Sequence, residues 1–336
     1  TSTHWKLKNH ISMWFSEERE MEYKNVPKPD MKTNEVLVQV KACGICSSDL
    51  DRVFNTGAYH YPIILGHEIS GQIVDIADNR NESYIGKKVV VFPLLPCFKC
   101  EACQKGLYAQ CNNYNYYGSR CNGGFAEYLS VPLWNIKTFS DDINYEIASL
   151  CEPSAVAWHS VSDAEIKRND KVLILGSGLI GIMVGFFAQS LGAQVYFKVR
   201  NYNKQNFLKQ LGFKNIYKEI NNTKFDTCFE CVGTNEAIQE ALKFVQMRGK
   251  IVLVGNPKSD ICFDKNLYWK ILRQEINLKG VWNSQYPKDW DYVLTHIKEF
   301  PMEKLITHKF KLSDGFNAFK ILKDAEFKIK GVFCAE

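Results

Sequence analysis

The sequence predicts an α/β protein of two domains, one mainly β and one a doubly wound parallel sheet. Three observations carry this. The chain has 336 residues, more than a single hydrophobic core usually organises. Up to about residue 145 apolar and polar residues alternate, and helical periodicity is scarce. From Lys171 onward the chain repeats strand, glycine turn, helix and strand, the pattern of a parallel sheet covered by helices on both faces.

Taken in order, "EVLVQVKA" at 35–42 alternates strictly enough to read as a half-buried strand, and "GQIVDIA" and "KKVVVFP" repeat the pattern. Glycine, proline and asparagine separate these runs and mark long loops. "NYEIASLCEPSAVAWHSVSDAEI" then reads as helix. Beyond it "KVLILG" is a continuous buried strand, and "LIGIMVGFFAQSLG" an apolar helix ending near Gly192. "AQVYFKV" is the next strand and "NKQNFLKQLG" the next helix. "FDTCFECVG", the helix "NEAIQEALKFVQ" and the strands "GKIVLVG" and "INLKGVW" complete the alternation. The tail from about Asn283 is too short to fold alone. It is expected to pack back on the first domain, which makes the second domain an insertion.

Composition narrows the function. With 46% apolar and 13% aromatic residues, the chain can build cores that disordered chains cannot. A net charge of +5 is mild and spread out. Its densest cluster, "FKIKG" near the C-terminus, reads as a solvated face, so no nucleic-acid partner is expected. The longest apolar stretch is interrupted by Gly176, Gly178, Gly181, Gly185 and Gly192, so no membrane span is expected. "TSTHWKLKNHISMWF" lacks the continuous apolar centre of a signal peptide, and the expected location is cytoplasmic. Twelve cysteines in such a chain point to metal binding or catalysis rather than disulfides.

Three constellations carry chemistry. "GSGLIG" follows a buried strand and opens a helix, the context that G-x-G-x-x-G needs to bind a dinucleotide. Gly176 permits the turn, Gly178 lets backbone approach a pyrophosphate, and Gly181 lets helix and strand pack. Leu179 and Ile180 begin the helix whose N-terminus faces the phosphates. The strand ends "CVG" and "LVG" add Val232, Gly233, Val254 and Gly255 as cofactor-binding candidates. At the end of the second strand, "VYFKVRNYNK", Val199 stands where a ribose-binding carboxylate is expected, and no carboxylate is available. Arg200, helped by Lys204, suits a 2′-phosphate instead, which favours NADP(H) over NAD(H).

"GICSSDL", "LGHEISG" and "CEPSAVAWH" bring the second group: Cys46, His67, Glu68, Glu152 and His159. Thiolate, imidazole and carboxylate are the ligand types of a catalytic zinc that keeps one position open. Cys43 lies three residues from Cys46, and spacing alone does not choose between them. The third group is Cys97, Cys100, Cys103 and Cys111 in "PCFKCEACQKGLYAQC". Four thiolates close a tetrahedral zinc site and leave no vacancy for chemistry.

Together, "GICSSD", "GHE", the four-cysteine lobe, "GGFAEY", "EP…H" and "GSGLIG", in this order, resemble the zinc-dependent medium-chain dehydrogenase/reductase (alcohol dehydrogenase-like) superfamily over nearly the whole chain. The resemblance implies a GroES-like catalytic domain at 1–153 and 284–336 and a Rossmann domain at 154–283. It also implies Cys46 rather than Cys43 as the zinc thiolate, since the family's cysteine precedes a dipeptide and Asp. His67 matches the histidine ligand, and Glu152 the carboxylate ligand of the polyol dehydrogenase branch. Glu68 matches a glutamate that stands behind the ligands or alternates as one of them, Ser48 a proton-relaying hydroxyl, and Asp49 a residue that orients a ligand. Stretches such as "YHYPIILGHEISG" and "GSRCNGGFAEYLSVP" look like those of polyol-phosphate enzymes of this branch.

The expected activity is therefore zinc-dependent hydride transfer between a nicotinamide cofactor and a polyol phosphate/ketose phosphate pair, in a homodimer or homotetramer. Arg120 is the first candidate for the substrate phosphate, with Tyr59 and Trp282 as possible pocket residues. The alternatives are an unphosphorylated sorbitol-like polyol, L-threonine, or a family member recruited as a binding or structural protein.

Overall fold

The computed structural model describes residues 9–18, 20–77, 79–257 and 259–335. Residues 1–8, the start of the stretch read for a signal peptide, lie outside them. Contacts divide the chain into two compact units, Thr1–Glu152 with Tyr286–Glu336, and Pro153–Gln285. Among the described residues no helix is long and apolar enough to cross a membrane.

The first unit is built on the strand Glu35–Ile45. One side of it pairs antiparallel with Glu68–Ile76. Its other side pairs first with Tyr128–Pro132 and then, from Ala42 to Ile45, with the C-terminal strand Lys330–Cys334. The main sheet runs Ile136–Thr138, Lys88–Val91, Glu68–Ile76, Glu35–Ile45, Lys330–Cys334, Ile306–Lys311. The tail thus closes the sheet of the first unit next to its longest strand. The alternation read at 35–42 holds except at buried Leu37, and it ends where the strand runs on to Ile45. Ala42, Cys43, Gly44 and Ile45 are all buried, because at this end the strand is covered on both faces. Phe125 shows the packing: fully buried, it lies 4.9 Å edge-on from Phe333 and 5.9 Å from Phe319. Each such ring contributes about 2–3 kcal/mol by leaving water.

The second unit is a six-stranded parallel sheet in the order Asn215–Tyr217, Gln194–Lys198, Lys171–Leu175, Phe225–Glu230, Val245–Leu253, Asn277–Gly280. The chain starts in the middle, winds to one edge and then to the other, so neighbouring loops diverge beside the first strand. Helix Leu179–Ser190 is apolar nearly all round because it is buried nearly all round. Side-chain caps start the helices that follow: Asn201 for Tyr202–Gln210, Thr234 for Asn235–Phe244 and Asp264 for Lys265–Arg273. The last of these helices packs only partly buried residues, Leu267 and Ile271, against the core of this unit.

Candidate active site

The four cysteines of the lobe come from one loop around the short helix Glu101–Gln104. All their sulfurs lie within 4.8 Å of one another. The Cys97–Cys103 and Cys100–Cys111 separations are 3.9 and 3.8 Å. That matches the edge of a tetrahedron with Zn–S bonds of ~2.3 Å, about 3.8 Å, and is far beyond an S–S bond of about 2.05 Å. Backbone N–H groups of Lys99 and Cys100 point at Cys97 Sγ at 3.5 and 3.4 Å, and that of Cys97 at Cys111 Sγ at 3.3 Å. Such donors favour thiolate: those of Cys103 and Asn112 pull the Cys100 thiol down to about 6. Trp134 braces the lobe, lying edge-on to Phe98 at 4.9 Å and to Tyr108 at 5.0 Å. Behind it Tyr286 stacks on Phe92 at 4.4 Å and donates to the carbonyl of Trp134 at 2.7 Å.

The second cluster gathers Cys46, His67 and Glu68, whose ligand atoms also fall within 4.8 Å of one another. Cys46 precedes helix Ser47–Asp51, and its N–H donates to Asp49 Oδ2 at 3.0 Å. Buried Asp49 faces His67 Nδ1 at 3.6 Å, too long for a hydrogen bond, and that nitrogen has no other partner. Burial alone would raise the Asp49 carboxyl, but His67, Arg52 and the Cys46 N–H hold it below the usual range. Arg52 Nη1 also donates to Ser48 Oγ at 3.1 Å. Thiol, imidazole and carboxylate with an orphaned ring nitrogen are a donor set that fits zinc.

Glu68 exposes a residue that the sequence reading misplaced. Lys330, in the "FKIKG" stretch expected to be a solvated face, is only 5% exposed. Its ammonium donates to both Glu68 oxygens at 2.6 and 2.7 Å and to the Ile45 carbonyl at 3.2 Å. Burial disfavours the charged lysine, but Glu68, Cys46 and Glu152 outweigh that and raise its pKa. A strand signal, "KIKGVFC", could have flagged Lys330 as the first inward residue of the last strand. Gly44 faces Glu68 across the ladder, and a Cβ there would lie 2.0 Å from Glu68 Oε2, so only glycine leaves room for the carboxylate.

Glu152 stands outside the set of three whose ligand atoms converge. It is buried, accepts from the Tyr116 hydroxyl at 3.2 Å, and has its pKa raised to about 7, by burial first and by the Glu68 charge. His67 and Lys330 act on it in the opposite sense, so it shares their electrostatic environment. His159, on helix Cys151–Asp163, belongs to neither metal-binding group, and Cys43 is a buried core thiol whose pKa burial pushes well up.

Tyr116 leads outward from His67, with rings 5.8 Å apart, to Tyr114 at 6.4 Å. Arg120 lies over Tyr114 at 4.5 Å and over the exposed Tyr59 at 4.9 Å. Among the described residues no carboxylate pairs with Arg120. Trp282, in the other unit, is 55% exposed.

In the second unit the glycine loop forms a cradle. Gly176 has φ +117°, open to glycine alone without strain. A Cβ on Gly181 would meet Gly176 O at 2.0 Å, whereas Gly178 faces open space. Gly178 begins helix Leu179–Ser190 with no side-chain cap, a donor-rich end suited to a pyrophosphate. Val199 is buried, so Arg200 is the first outward residue after the second strand. Lys204 is half-buried, which lowers its pKa. The expectation that no carboxylate stands nearby needs correction: Glu240, from helix Asn235–Phe244, reaches Arg200 at 3.6 Å and pairs with Lys198. It lies 42 residues from Lys198, the strand's last residue, beyond any local motif.

A GroES-like unit with a vacant-type zinc donor set, followed by a dinucleotide-binding sheet, defines a zinc-dependent, NAD(P)-linked alcohol dehydrogenase. The chain belongs to the zinc-dependent medium-chain dehydrogenase/reductase family. Residues 32–140 match the alcohol dehydrogenase GroES-like domain, and residues 180–299 the zinc-binding dehydrogenase domain. The chain is similar to galactitol 1-phosphate 5-dehydrogenase of Escherichia coli (strain K12), 32% identical over 301 residues, 84% of this chain and 87% of that one. L-Threonine 3-dehydrogenase of Shewanella oneidensis is 28% identical over 335 residues, 93% of this chain and 94% of that one. The crystal structure of galactitol-1-phosphate dehydrogenase from Escherichia coli matches with a TM-score of 0.90 and 29% identity, covering 96% of this chain and 99% of that one.

Proposed function

We propose that this dehydrogenase interconverts a polyol phosphate and a ketose phosphate, and works with NADP(H) as a ketose-phosphate reductase. The observation that carries the reading is Arg120, whose guanidinium lies over the rings of Tyr59 and Tyr114 with no carboxylate partner among the described residues. A planar guanidinium with free donors suits a phosphate dianion. The likeness to an enzyme named for galactitol 1-phosphate supports it. Arg200, 75% exposed and first outward after the second strand, supports a 2′-phosphate.

Cys46, His67 and Glu152 would hold the catalytic zinc, with Glu68 as an alternating carboxylate, and Cys97, Cys100, Cys103 and Cys111 the structural one. When bound, zinc supplies Lewis acidity at the reacting oxygen and the nicotinamide carries the hydride. Ser48 moves the proton: its oxygen accepts from Arg52 Nη1, so its own hydrogen is free to be given away. Asp49, 3.6 Å from His67 Nδ1, acts on that ring by its charge, and Lys330 fixes Glu68.

The test is a matrix of polyols, ketoses and their phosphates against both cofactors. Removing the phosphate should lower kcat/KM by about a hundredfold or more, the worth of two charge-assisted hydrogen bonds. Turnover of L-threonine or a free polyol at the same rate would replace this reading. Arg200→Ala should raise KM for NADPH about tenfold and leave that for NADH within about twofold. Equal effects on both cofactors would reject the 2′-phosphate assignment.

A further inference from the structure

One buried carboxylate is used by neither metal group nor the substrate candidates. Glu230 ends the strand Phe225–Glu230 and is 1% exposed. Among the described residues no cation pairs with it. Its Oε1 accepts the N–H groups of Val232 at 2.7 Å and Gly233 at 2.8 Å. Its main-chain carbonyl accepts those of Val254 and Gly255, each at 2.9 Å. One residue therefore satisfies four amides from two different turns, both leaving the C-terminal ends of neighbouring parallel strands. That edge of an open α/β sheet is where a dinucleotide binds. The turns touch: a Cβ on Gly255 would lie 2.2 Å from Gly233 N, and one on Gly233 1.9 Å from Asn256 O. The next residue, Cys231, donates to the Leu175 carbonyl at 2.8 Å, and its own carbonyl lies 3.0 Å from where a Cβ on Gly176 would stand. The glycine loop and both turns meet around Glu230.

We infer that Glu230 is a positioning residue for the cofactor: its carboxylate holds turn 231–233, which its main-chain carbonyl sets beside turn 254–256, and so preforms that wall of the dinucleotide cradle. Burying a carboxylate without a cation is costly, and here amide donors hold it in place of a counter-ion. Without the carboxylate turn 231–233 regains backbone freedom, which binding must then remove, so affinity falls while the chemical step is spared. The carboxylate acts on backbone common to both nucleotides and does not depend on the 2′-phosphate.

The test is dissociation constants for NADH and NADPH, by nicotinamide fluorescence titration of the zinc-loaded full chain, for three variants. Glu230→Ala removes the acceptor. Glu230→Asp keeps the charge but withdraws the oxygen, and Glu230→Gln keeps the reach. Ala and Asp should each weaken both cofactors by about tenfold, with kcat at saturating cofactor within about twofold; Gln should stay within about threefold of the parent. If the Ala protein does not fold, the Asp and Gln proteins carry the comparison. Parent-like affinity in Asp, an equal loss in Gln and Asp, or a loss confined to one cofactor would each overturn the inference. Arg200→Ala acts on NADPH alone, so the two results separate cleanly.

Discussion

The two thiol-bearing clusters of the first unit differ in how they are assembled. Cys97, Cys100, Cys103 and Cys111 sit within one short loop and are met mainly by backbone N–H groups. Cys46, His67 and Glu68 come from a helix start and a strand start, and ion pairs surround them: Asp49 with Arg52, and Glu68 with Lys330. A closed site needs only four identical donors at tetrahedral spacing. An open site must keep a partly coordinated ion and its unlike ligands in one arrangement, so it recruits charges from distant parts of the chain. On the proposed reading the closed cluster would hold a shape and the open one a chemical capacity.

The sharpest way to break this contrast is Cys46→Ser. Turnover should fall on the order of 10³-fold or more, since the Lewis acid is lost or misplaced. Zinc content should fall by about one ion per chain, and the unfolding midpoint should move by less than about 2 °C. Full activity in that variant, measured with zinc analysis on the same sample, would remove Cys46 from the open site. Mild chelation should follow the same order, with activity lost before thermal stability.

Lys330→Met probes the charges behind the open site. It strands the buried Glu68 carboxylate beside Cys46 and Glu152. Stability should drop by about 3 kcal/mol and kcat by about 10–100-fold. Adding Glu68→Gln should recover most of the stability, because no unpaired charge is left, but not the turnover. Denaturant melts and kcat measured in parallel decide this. A double variant as unstable as the single one would mean that Lys330 works by packing alone.

The contrast also explains what could be read in advance. The four cysteines, the glycine loop and the β–α alternation are local patterns, and the structure keeps each as a unit: sulfurs within 4.8 Å, a tight turn at Gly176, a six-stranded parallel sheet. Lys330 is hard to read because the stretch around it, with Lys328 two residues before and Gly331 after, looks like a solvated end. Its partner Glu68 lies 262 residues away, joined only by the pairing of the last strand with Glu35–Ile45. Glu240 escapes for the same reason, since its cations lie on another element, whereas Glu230 escapes because its partners, though local, are backbone amides that no side-chain pattern shows. Chemistry carried by unlike residues across the fold leaves no spacing to recognise.

The smallest effect on turnover is expected at the closed site. In Cys100→Ser one soft donor becomes a hydroxyl with little affinity for zinc at neutral pH. The sulfur of Cys111, 3.8 Å away, loses its share of the tetrahedron, and the loop from Cys97 to Cys111 keeps its backbone hydrogen bonds and its contacts with Trp134 but loses a metal cross-link. Binding free energy at a structural zinc is folding free energy, so the midpoint should fall by roughly 5–10 °C. Protein that remains folded should keep kcat within about threefold, because none of the four sulfurs belongs to the open group. Calorimetry and initial rates on one preparation separate the two readouts. An unchanged midpoint with a large loss of kcat would invert the comparison, making the lobe part of the catalytic apparatus and Cys46 no longer the only thiol on which turnover depends.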